Sequence, residues 1–223
     1  VFLWEAPFSG NPTSLAKTAQ RYGGINWGNA NIAVLYDQWY DTRNERTFLI
    51  NPSKPNEKPR LVWDRNSQDI YSDPGGFETV KNQYGRQVLA LEGDNAFLLG
   101  EGHTKDGQFP FVDEFNIKTL KTKRLYQSNY TDKVENIFSI EDFKKGDVLV
   151  QIQSKTEYPN YYFRNIRKKN SLKQITNFKN PFESFKNVQK EVIKYKRKDG
   201  VELSGTLYLP AGYDKNKKEK LRL

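Results

Sequence analysis

Residues 190–213 read KEVIKYKRKDGVELSGTLYLPAGY. Two strand-like runs, 191–198 and 201–209, flank the dipeptide Asp199-Gly200. An Asp-Gly pair in this position is typical of a two-residue hairpin turn in which both central residues adopt positive φ. In that register Arg197 lies opposite Glu202, a cross-strand pair of opposite charge. The stretch therefore predicts a β-hairpin that Pro210 ends.

The size and composition of the chain predict a folded, β-rich protein. Its 223 residues are enough for one large or two small domains. Charged residues make up 28% and hydrophobic residues 36%, a balance typical of globular rather than disordered chains. Because no apolar run approaches the roughly 20 residues that span a bilayer, no membrane partner is predicted. The absence of cysteine excludes disulfides, thiolate metal sites and cysteine nucleophiles.

The net charge of +9 is concentrated in one part of the chain. Residues 164–198 contain 12 Lys and Arg against Glu183 and Glu191, so the rest of the chain is close to neutral. A nucleic-acid-binding surface is not usually confined to a single linker-like stretch. Stacking aromatics at the spacing of a known module are also missing. We therefore expect a solvated lysine-rich hairpin and linker here, and no nucleic-acid partner.

Strand-like runs with alternating polarity recur along the chain in three groups, separated by turn signals. Their ranges are 31–36, 47–50 and 60–63; then 87–91, 95–100, 109–117 and 123–127; then 134–139, 147–154, 161–166 and 172–176. Each group closes with a large aliphatic residue after a lysine-rich turn, and these are Leu61, Leu125 and Ile175, with Leu15 as the remnant of an earlier one. Two of the three spacings fit a four-stranded propeller blade of about 40–50 residues. The longest spacing contains 66–84, which is expected to be an inserted loop.

These groups predict an all-β fold, namely a partial β-propeller of about three blades plus part of one, followed by the hairpin. The domains are expected at 1–182 for the partial propeller and at 183–223 for the linker and the N-terminal hairpin of a second domain. A β-sandwich also has short strands at regular spacing, but the clustering in fours favours a propeller. Because so few blades do not close a ring, we expect exposed edge strands to promote self-association.

No motif in the chain predicts catalytic chemistry. Gly-x-Ser-x-Gly, which exposes a serine nucleophile on a strand-to-helix turn, does not occur, and Ser9 and Ser204 both lack the leading glycine. The only histidine, His103, lies in a turn-like segment and is expected to be a surface residue. No usual zinc set, calcium loop or phosphate-binding glycine loop is present. No catalytic, cofactor-binding or metal-binding residue is therefore predicted, while a carboxylate pair among the 27 acidic residues stays open.

Several aromatic and basic residues are candidates for lining a binding channel. The aromatic candidates, all expected to pack between blades rather than to bind a ligand, are Trp4, Trp27, Trp39, Trp63, Tyr161 and Tyr162. Arg43 and Arg164 could attract peptide carboxylates if they faced a channel. The sequence alone does not assign any of these side chains to a channel.

The hairpin pattern K-x-x-D-G-x-x-L-x-G-x-L-Y-L-P-x-G-Y resembles the segment that opens the α/β-hydrolase domain of prolyl oligopeptidase-family serine peptidases. Further segments resemble the propeller of the branch that includes bacterial peptidases and plastid glutamyl endopeptidases: FSG at 8–10, GINWG at 24–28, KPN at 54–56, DPGG at 73–76, GEG at 100–102 and KTLKTK at 118–123. The resemblance implies a Ser-Asp-His hydrolase domain after the propeller, and a propeller that admits short peptides to it. Bacterial members also suggest a periplasmic or secreted location.

Two functions follow as expectations. In the first, the chain is the non-catalytic propeller part of a serine peptidase that gates and selects short peptides for a hydrolase domain absent from these 223 residues. In the second, it is an autonomous propeller-like module that binds proteins or glycans, because aromatic-rich β-repeats occur here without a catalytic constellation. Under either expectation the isolated chain is inert toward peptides, and no cofactor is needed.

Overall fold

A computed structural model describes residues 1–168 and 171–217 of the chain. The described residues form two compact units. The first comprises residues 1–154 and 159–177, and the second comprises residues 155–158 and 178–217. Their regular structure consists of β-strands and three single 3-10 turns, Ile70–Ser72, Glu183–Phe185 and Lys215–Lys217. In these ranges no helix is both long and apolar enough to cross a lipid bilayer.

The first sheets of unit 1 are a short two-stranded ladder and a complete four-stranded blade. The ladder pairs β1 (Phe2–Leu3) with β2 (Thr13–Ser14). Blade 1 is an antiparallel meander of β3 (Arg21–Asn29), β4 (Ile32–Trp39), β5 (Asn44–Ile50) and β6 (Arg60–Asn66), paired in sequence order. The first half of β4 is buried on both faces because it lies inside the sheet and between packed layers, so it is apolar without alternation.

Blade 2 has the same meander, but its first strand is split in two. β7 (Gly76–Phe77) and β10 (Leu91–Glu92) both pair with β11 (Asn95–Gly100), and the chain between them forms the hairpin β8 (Thr79–Lys81) and β9 (Gln87–Leu89). After β11 comes a second small hairpin, β12 (His103–Thr104) and β13 (Gly107–Gln108). The blade is completed by β14 (Phe111–Asn116) and β15 (Lys121–Gln127).

Blade 3 and the second unit complete the described structure. Blade 3 is a meander of β16 (Lys133–Asp142), β17 (Asp147–Ser154), β18 (Asn160–Asn165) and β19 (Ser171–Gln174). Two register shifts in β16 mark bulges, which free backbone groups from the ladder. The second unit is built on a long hairpin of β20 (Gln189–Lys196) and β21 (Glu202–Leu209).

Apolar side chains fill the space between successive blades. The cluster between blades 1 and 2 joins strands from both, with the ring of Trp63 5.4 Å from that of Phe115 and 5.6 Å from that of Phe77. The cluster between blades 2 and 3 includes Phe97, Val112, Ile140, Val148, Val150 and Ile152. Three consecutive four-stranded meanders that pack face to face, with part of a fourth before them, confirm the all-β partial propeller predicted from the sequence.

The strand prediction was accurate inside the blades and wrong at glycine-rich positions. The ranges predicted for β11 and β17 agree with the structure residue for residue. The first strand of blade 1, β3, was missed because Gly23, Gly24 and Gly28 interrupt its alternation. The segment 66–84, predicted to be an inserted loop, contains a 3-10 turn and the strands β7 and β8.

The hairpin of the second unit differs from the two-residue turn predicted for Asp199-Gly200. Gly200 has positive φ and Asp199 does not, and the backbone N–H of Arg197 donates to the carbonyl of Val201 at 2.9 Å. The loop is therefore one residue longer, and Lys196 rather than Arg197 lies opposite Glu202. Arg197 instead forms a bidentate ion pair with Asp199 across the turn. The carboxylate at the turn holds the arginine locally, which the pairing pattern alone does not indicate.

Candidate functional site: the inner edge of the blades

The residues that the sequence raised for serine chemistry do not form a catalytic group. His103 lies on β12, and its Nε2 is 2.7 Å from Oε2 of the neighbouring Glu101. Ser204 is an exposed residue of β21, opposite Lys194, and Ser9 is exposed near the start of the chain. Among residues 1–168 and 171–217, no group of three or more His, Asp or Glu side chains is arranged to hold a metal ion. We therefore consider the binding surfaces of the blades next.

Both arginines considered as attractors for peptide carboxylates are already engaged. Arg164 is buried, and its Nε donates to Oε1 of Glu135 at 2.6 Å. Its Nη2 also donates to the hydroxyl of Tyr130 at 3.0 Å. Arg43 stacks over the ring of Tyr40, 3.7 Å from the centroid. Arg164 is thus part of the packing of blade 3 and does not offer a free guanidinium to a ligand.

The aromatic residues expected to pack between blades differ in how deeply their side chains are buried. Trp63 and Tyr162 are packed against the two interblade clusters, as expected. Trp4, Trp27 and Trp39 are exposed, so the packing expectation was wrong for these three. Tyr161 is half-buried, with its ring 5.7 Å from that of Phe138. Trp4 follows β1, Trp39 ends β4, and Trp27 lies on the glycine-rich β3. The alternation pattern of the sequence reveals neither the strand ends nor β3.

The first strand of each blade is an edge strand, which pairs with a neighbouring strand on one side only. In blades 1 and 3 these strands are β3 and β16. In blade 2 the same position is shared by β7 and β10, which pair with opposite halves of β11. In a propeller the first strand of each blade lines the central channel. We call this row of first strands the inner edge.

A hairpin leaves the inner edge of blade 2 between β7 and β10. We call residues 79–89, which contain β8 and β9, the inner-edge hairpin. At its base the backbone N–H of Glu78 donates to the carbonyl of Phe97 at 2.9 Å, and the carbonyl of Glu78 accepts from the N–H of Ala90 at the same distance. The ladder of blade 2 therefore continues across the insertion of the hairpin.

The side chain of Glu78 joins two neighbouring blades at the inner edge. Its Oε1 accepts a hydrogen bond of 3.2 Å from the backbone N–H of Ile140, which lies at a bulge of β16. Burial, and to a smaller extent the charge of Glu141, raise the pKa of the Glu78 carboxyl above its ordinary value. The half-buried carboxylate thus satisfies an N–H that the bulge leaves outside the sheet.

The tip of the inner-edge hairpin is ordered by one asparagine. Oδ1 of Asn82 accepts from the N–H of Tyr84 at 2.9 Å and from the N–H of Arg86 at 3.0 Å. Gly85, with a φ of 71°, supplies the left-handed residue that the turn requires. At the other end of the hairpin Leu89 is buried in the cluster between blades 1 and 2. The hairpin therefore has a packed base and a defined turn, with Tyr84 standing out at its tip.

A small polar cavity lies at the ends of blades 1 and 2 where the chain passes between them. It has a volume of about 250 Å³, and its lining includes Trp63, Tyr71, His103 and the ion pair of Asp113 with Arg124. Arg124 Nε is 2.5 Å from Oδ1 of Asp113, and its guanidinium lies 3.9 Å from the centroid of the Phe111 ring. Arg124 thus neutralises Asp113, and the lining also contains Asp73, whose Oδ2 lies 3.6 Å from Nη2 of Arg65.

Comparison with known proteins places the whole chain alongside peptidases. It is 38% identical over 97% of its length to a probable chloroplastic glutamyl endopeptidase of Arabidopsis thaliana. It is 37% identical over 93% of its length to a probable chloroplastic glutamyl endopeptidase of Oryza sativa subsp. japonica. The chain spans 24% of the length of each of these relatives. No protein-family model matches it.

Among solved structures, the crystal structure of dipeptidyl peptidase 4 from Porphyromonas gingivalis is similar to this chain. The TM-score is 0.50 at 14% sequence identity, and the match covers 94% of this chain and 34% of that one. Identity at this level supports the fold alone. In sequence and in fold, this chain resembles part of the β-propeller and the first hairpin of the hydrolase domain of serine peptidases of the prolyl oligopeptidase family.

Proposed function

We propose that this chain is the non-catalytic propeller part of a serine peptidase. In this proposal residues 1–182 form part of the propeller, and residues 183–223 begin the α/β-hydrolase domain that carries the Ser-Asp-His triad. The observation that supports it most is the match to glutamyl endopeptidases over 97% of the chain, which spans 24% of their length. The order of elements agrees with it, since three blades are followed directly by the hairpin β20–β21.

The propeller would act as a filter for the hydrolase domain. A ring of blades over an active site limits substrates by width, so short peptides enter and folded proteins do not. It also excludes bulk water, which strengthens electrostatic stabilisation of the acyl-transfer transition state. The printed names of the two plant relatives suggest cleavage at glutamyl residues as the specificity to test first.

The proposal is tested by comparing the 223-residue chain with the complete product of its gene. We expect the complete product to hydrolyse short peptides, to react with a fluorophosphonate and to leave folded proteins intact. The 223-residue chain should neither hydrolyse the peptides nor react with the fluorophosphonate. Peptide turnover and fluorophosphonate labelling by the 223-residue chain, both surviving Ser204→Ala, would overturn the proposal. A complete gene product that contains no Gly-x-Ser-x-Gly after residue 223 would also overturn it.

A second candidate function is an autonomous module that binds proteins or glycans. The exposed aromatic residues Trp39, Tyr40 and Tyr71 favour it, because they lie where β4 and β6, which run in the same direction, end. Aromatic faces in such positions stack on sugar rings or on peptide side chains. Binding of a glycan or a folded protein by the complete gene product, without peptide hydrolysis, would support this candidate against the first.

A further inference from the structure

We propose that the inner-edge hairpin, residues 79–89, contacts the entering peptide and selects for acidic side chains through Lys81, Tyr84 and Arg86. This inference rests on the proposed peptidase function and assigns part of its substrate selection to one element. It follows from three properties of the hairpin: where it leaves the sheet, how firmly it is held, and which side chains it presents.

In a closed propeller the first strand of a blade faces the central channel. β7 and β10, which share that position in blade 2, pair with β11 on one side, and the hairpin is inserted between them. β9 packs beside β3, which is the first strand of blade 1. A Cβ placed on Gly28 of β3 would lie 2.8 Å from Cγ2 of Ile32 and 3.2 Å from Cδ1 of Leu89, so both neighbours approach the glycine closely. The hairpin therefore stands along the inner edge of blades 1 and 2.

The hairpin is held firmly enough to present its tip in a fixed place. Leu89 is only 3% exposed and is part of the interblade cluster, so the base moves with the blades. Strands β8 and β9 pair with each other over three residues, with Val80 opposite Val88. The tip is closed by the Asn82 hydrogen bonds to the N–H groups of Tyr84 and Arg86. An ordered tip loses less conformational entropy on binding than a mobile loop does.

The chemistry of the tip is cationic and aromatic. Residues 79–89 contain Lys81 and Arg86 and no acidic residue. Both side chains are exposed, and Tyr84 is 78% exposed, although tyrosine is usually at least partly buried. The nearest carboxylate along the chain, Glu78, is half-buried and accepts from Ile140, so it does not neutralise the tip. Two cations beside an aromatic face fit a peptide with carboxylate side chains.

The test uses the complete gene product and two short peptides that share one cleavage site. One carries three glutamates away from that site, and the other carries glutamines at the same places. Lys81→Gln together with Arg86→Gln should lower kcat/KM for the glutamate peptide about fivefold to tenfold, the size expected from two partly exposed charge contacts. The glutamine peptide should change less than about twofold.

A matched control removes two lysines elsewhere in the same blade. Lys121 and Lys123 are exposed residues of β15, the strand of blade 2 farthest from the inner edge. Lys121→Gln with Lys123→Gln lowers the net charge equally and should leave the ratio of the two kcat/KM values unchanged. The inference would be overturned if the hairpin variant lowered kcat/KM equally for both peptides. It would also be overturned if the control variant changed the ratio of the two kcat/KM values as much as the hairpin variant does.

Charge reversal gives a second test, in which the preference should invert. Lys81→Glu with Arg86→Glu should lower kcat/KM for the glutamate peptide further and raise kcat/KM for a peptide that carries three lysines. Tyr84→Ala should lower kcat/KM for all the peptides by a similar factor, because the aromatic contact does not depend on their charge. If the charge-reversed enzyme keeps the original order of preference, the hairpin does not select. If the unmodified protein cleaves none of the peptides, the proposed function fails, which is a distinguishable result.

Discussion

The hydroxyl of Tyr126 donates a hydrogen bond of 2.6 Å to Oε2 of Glu135, and this bond connects the last strand of blade 2 to the first strand of blade 3. The same carboxylate accepts a hydrogen bond from Nε of Arg164, a residue of blade 3. Its side chain is completely buried. Blades 1 and 2, by contrast, meet through the aromatic rings of Trp63, Phe77 and Phe115. Both interfaces contain an apolar cluster, and the interface of blades 2 and 3 adds the buried polar network of Tyr126, Glu135 and Arg164.

Removing the hydroxyl of Tyr126 should weaken the polar network between blades 2 and 3. We expect Tyr126→Phe to lower the free energy of unfolding by about 1.5–3 kcal/mol, because a buried carboxylate loses one of its donors. The measurement is urea unfolding followed by tryptophan fluorescence. Tyr84→Phe, which removes a hydroxyl from an exposed ring, is the control and should have no measurable effect. Equal effects of the two changes would show that the Tyr126 bond contributes nothing specific.

Removing one partner of the buried ion pair should cost much more than removing both. Arg164→Met leaves the Glu135 carboxylate buried without its cation, which is expected to cost about 3–5 kcal/mol. The double variant Glu135→Leu with Arg164→Met should be more stable than the Arg164→Met variant, because no uncompensated charge remains. A double-mutant cycle by urea unfolding measures this coupling. Strictly additive free energies would contradict the arrangement described here.

The apolar cluster between blades 1 and 2 should be destabilised by the loss of side-chain volume. Phe115 is 1% exposed and contacts the rings of Trp63 and Phe77, so Phe115→Ala should lower the free energy of unfolding by about 3–5 kcal/mol. Phe138→Ala deletes the same side chain from a half-exposed position and should cost clearly less. Thermal and urea unfolding of the two variants provide the comparison. A larger loss from Phe138 than from Phe115 would contradict the assignment of the interblade core.

The half-buried carboxyl of Glu78 should make the free energy of unfolding depend on pH. Because burial raises the pKa of this carboxyl in the folded protein, its contribution is most favourable below the ordinary value of 4.5 and is lost as the pH rises through the folded pKa. Glu78→Gln keeps an acceptor for the N–H of Ile140 and removes the charge. The variant should therefore gain stability relative to the unmodified chain between pH 4 and pH 8.

Urea midpoints measured across that range provide the check on Glu78. Glu57→Gln, which removes an exposed carboxyl, is the control for the substitution itself. If the Glu78→Gln difference does not change with pH, the surroundings of Glu78 do not perturb its carboxyl.

The sequence predicted the blades better than it predicted the inner edge, for a physical reason. β11 and β17 were identified because both lie inside their sheets, where packing selects a continuous apolar run in β11 and buried apolar residues at alternate positions in β17. The run 87–91 also alternates, and it was predicted to be one strand. The structure divides it at Ala90, whose N–H bonds to the carbonyl of Glu78, so Leu89 and Leu91 belong to different ladders. A contact twelve residues away in sequence leaves no trace in local periodicity.

The candidate site was missed for the same reason. Lys81, Tyr84 and Arg86 form no recognisable motif, and their importance comes only from the place where the hairpin leaves the sheet. Asn82 and Gly85 do predict a turn, but not its direction. The resemblance to peptidases indicated the domain order, whereas the selection element depends on which strand edge is free.

The last strands of blades 2 and 3 carry exposed lysines, Lys121 and Lys123 on β15 and Lys173 on β19. A second copy that added a strand to either edge would bring like charges together, on a chain whose net charge is already +9. At physiological ionic strength the screening length is about 8 Å, and near 1 M salt it falls to about 3 Å. We therefore expect concentrated salt to weaken the like-charge repulsion between these edge strands.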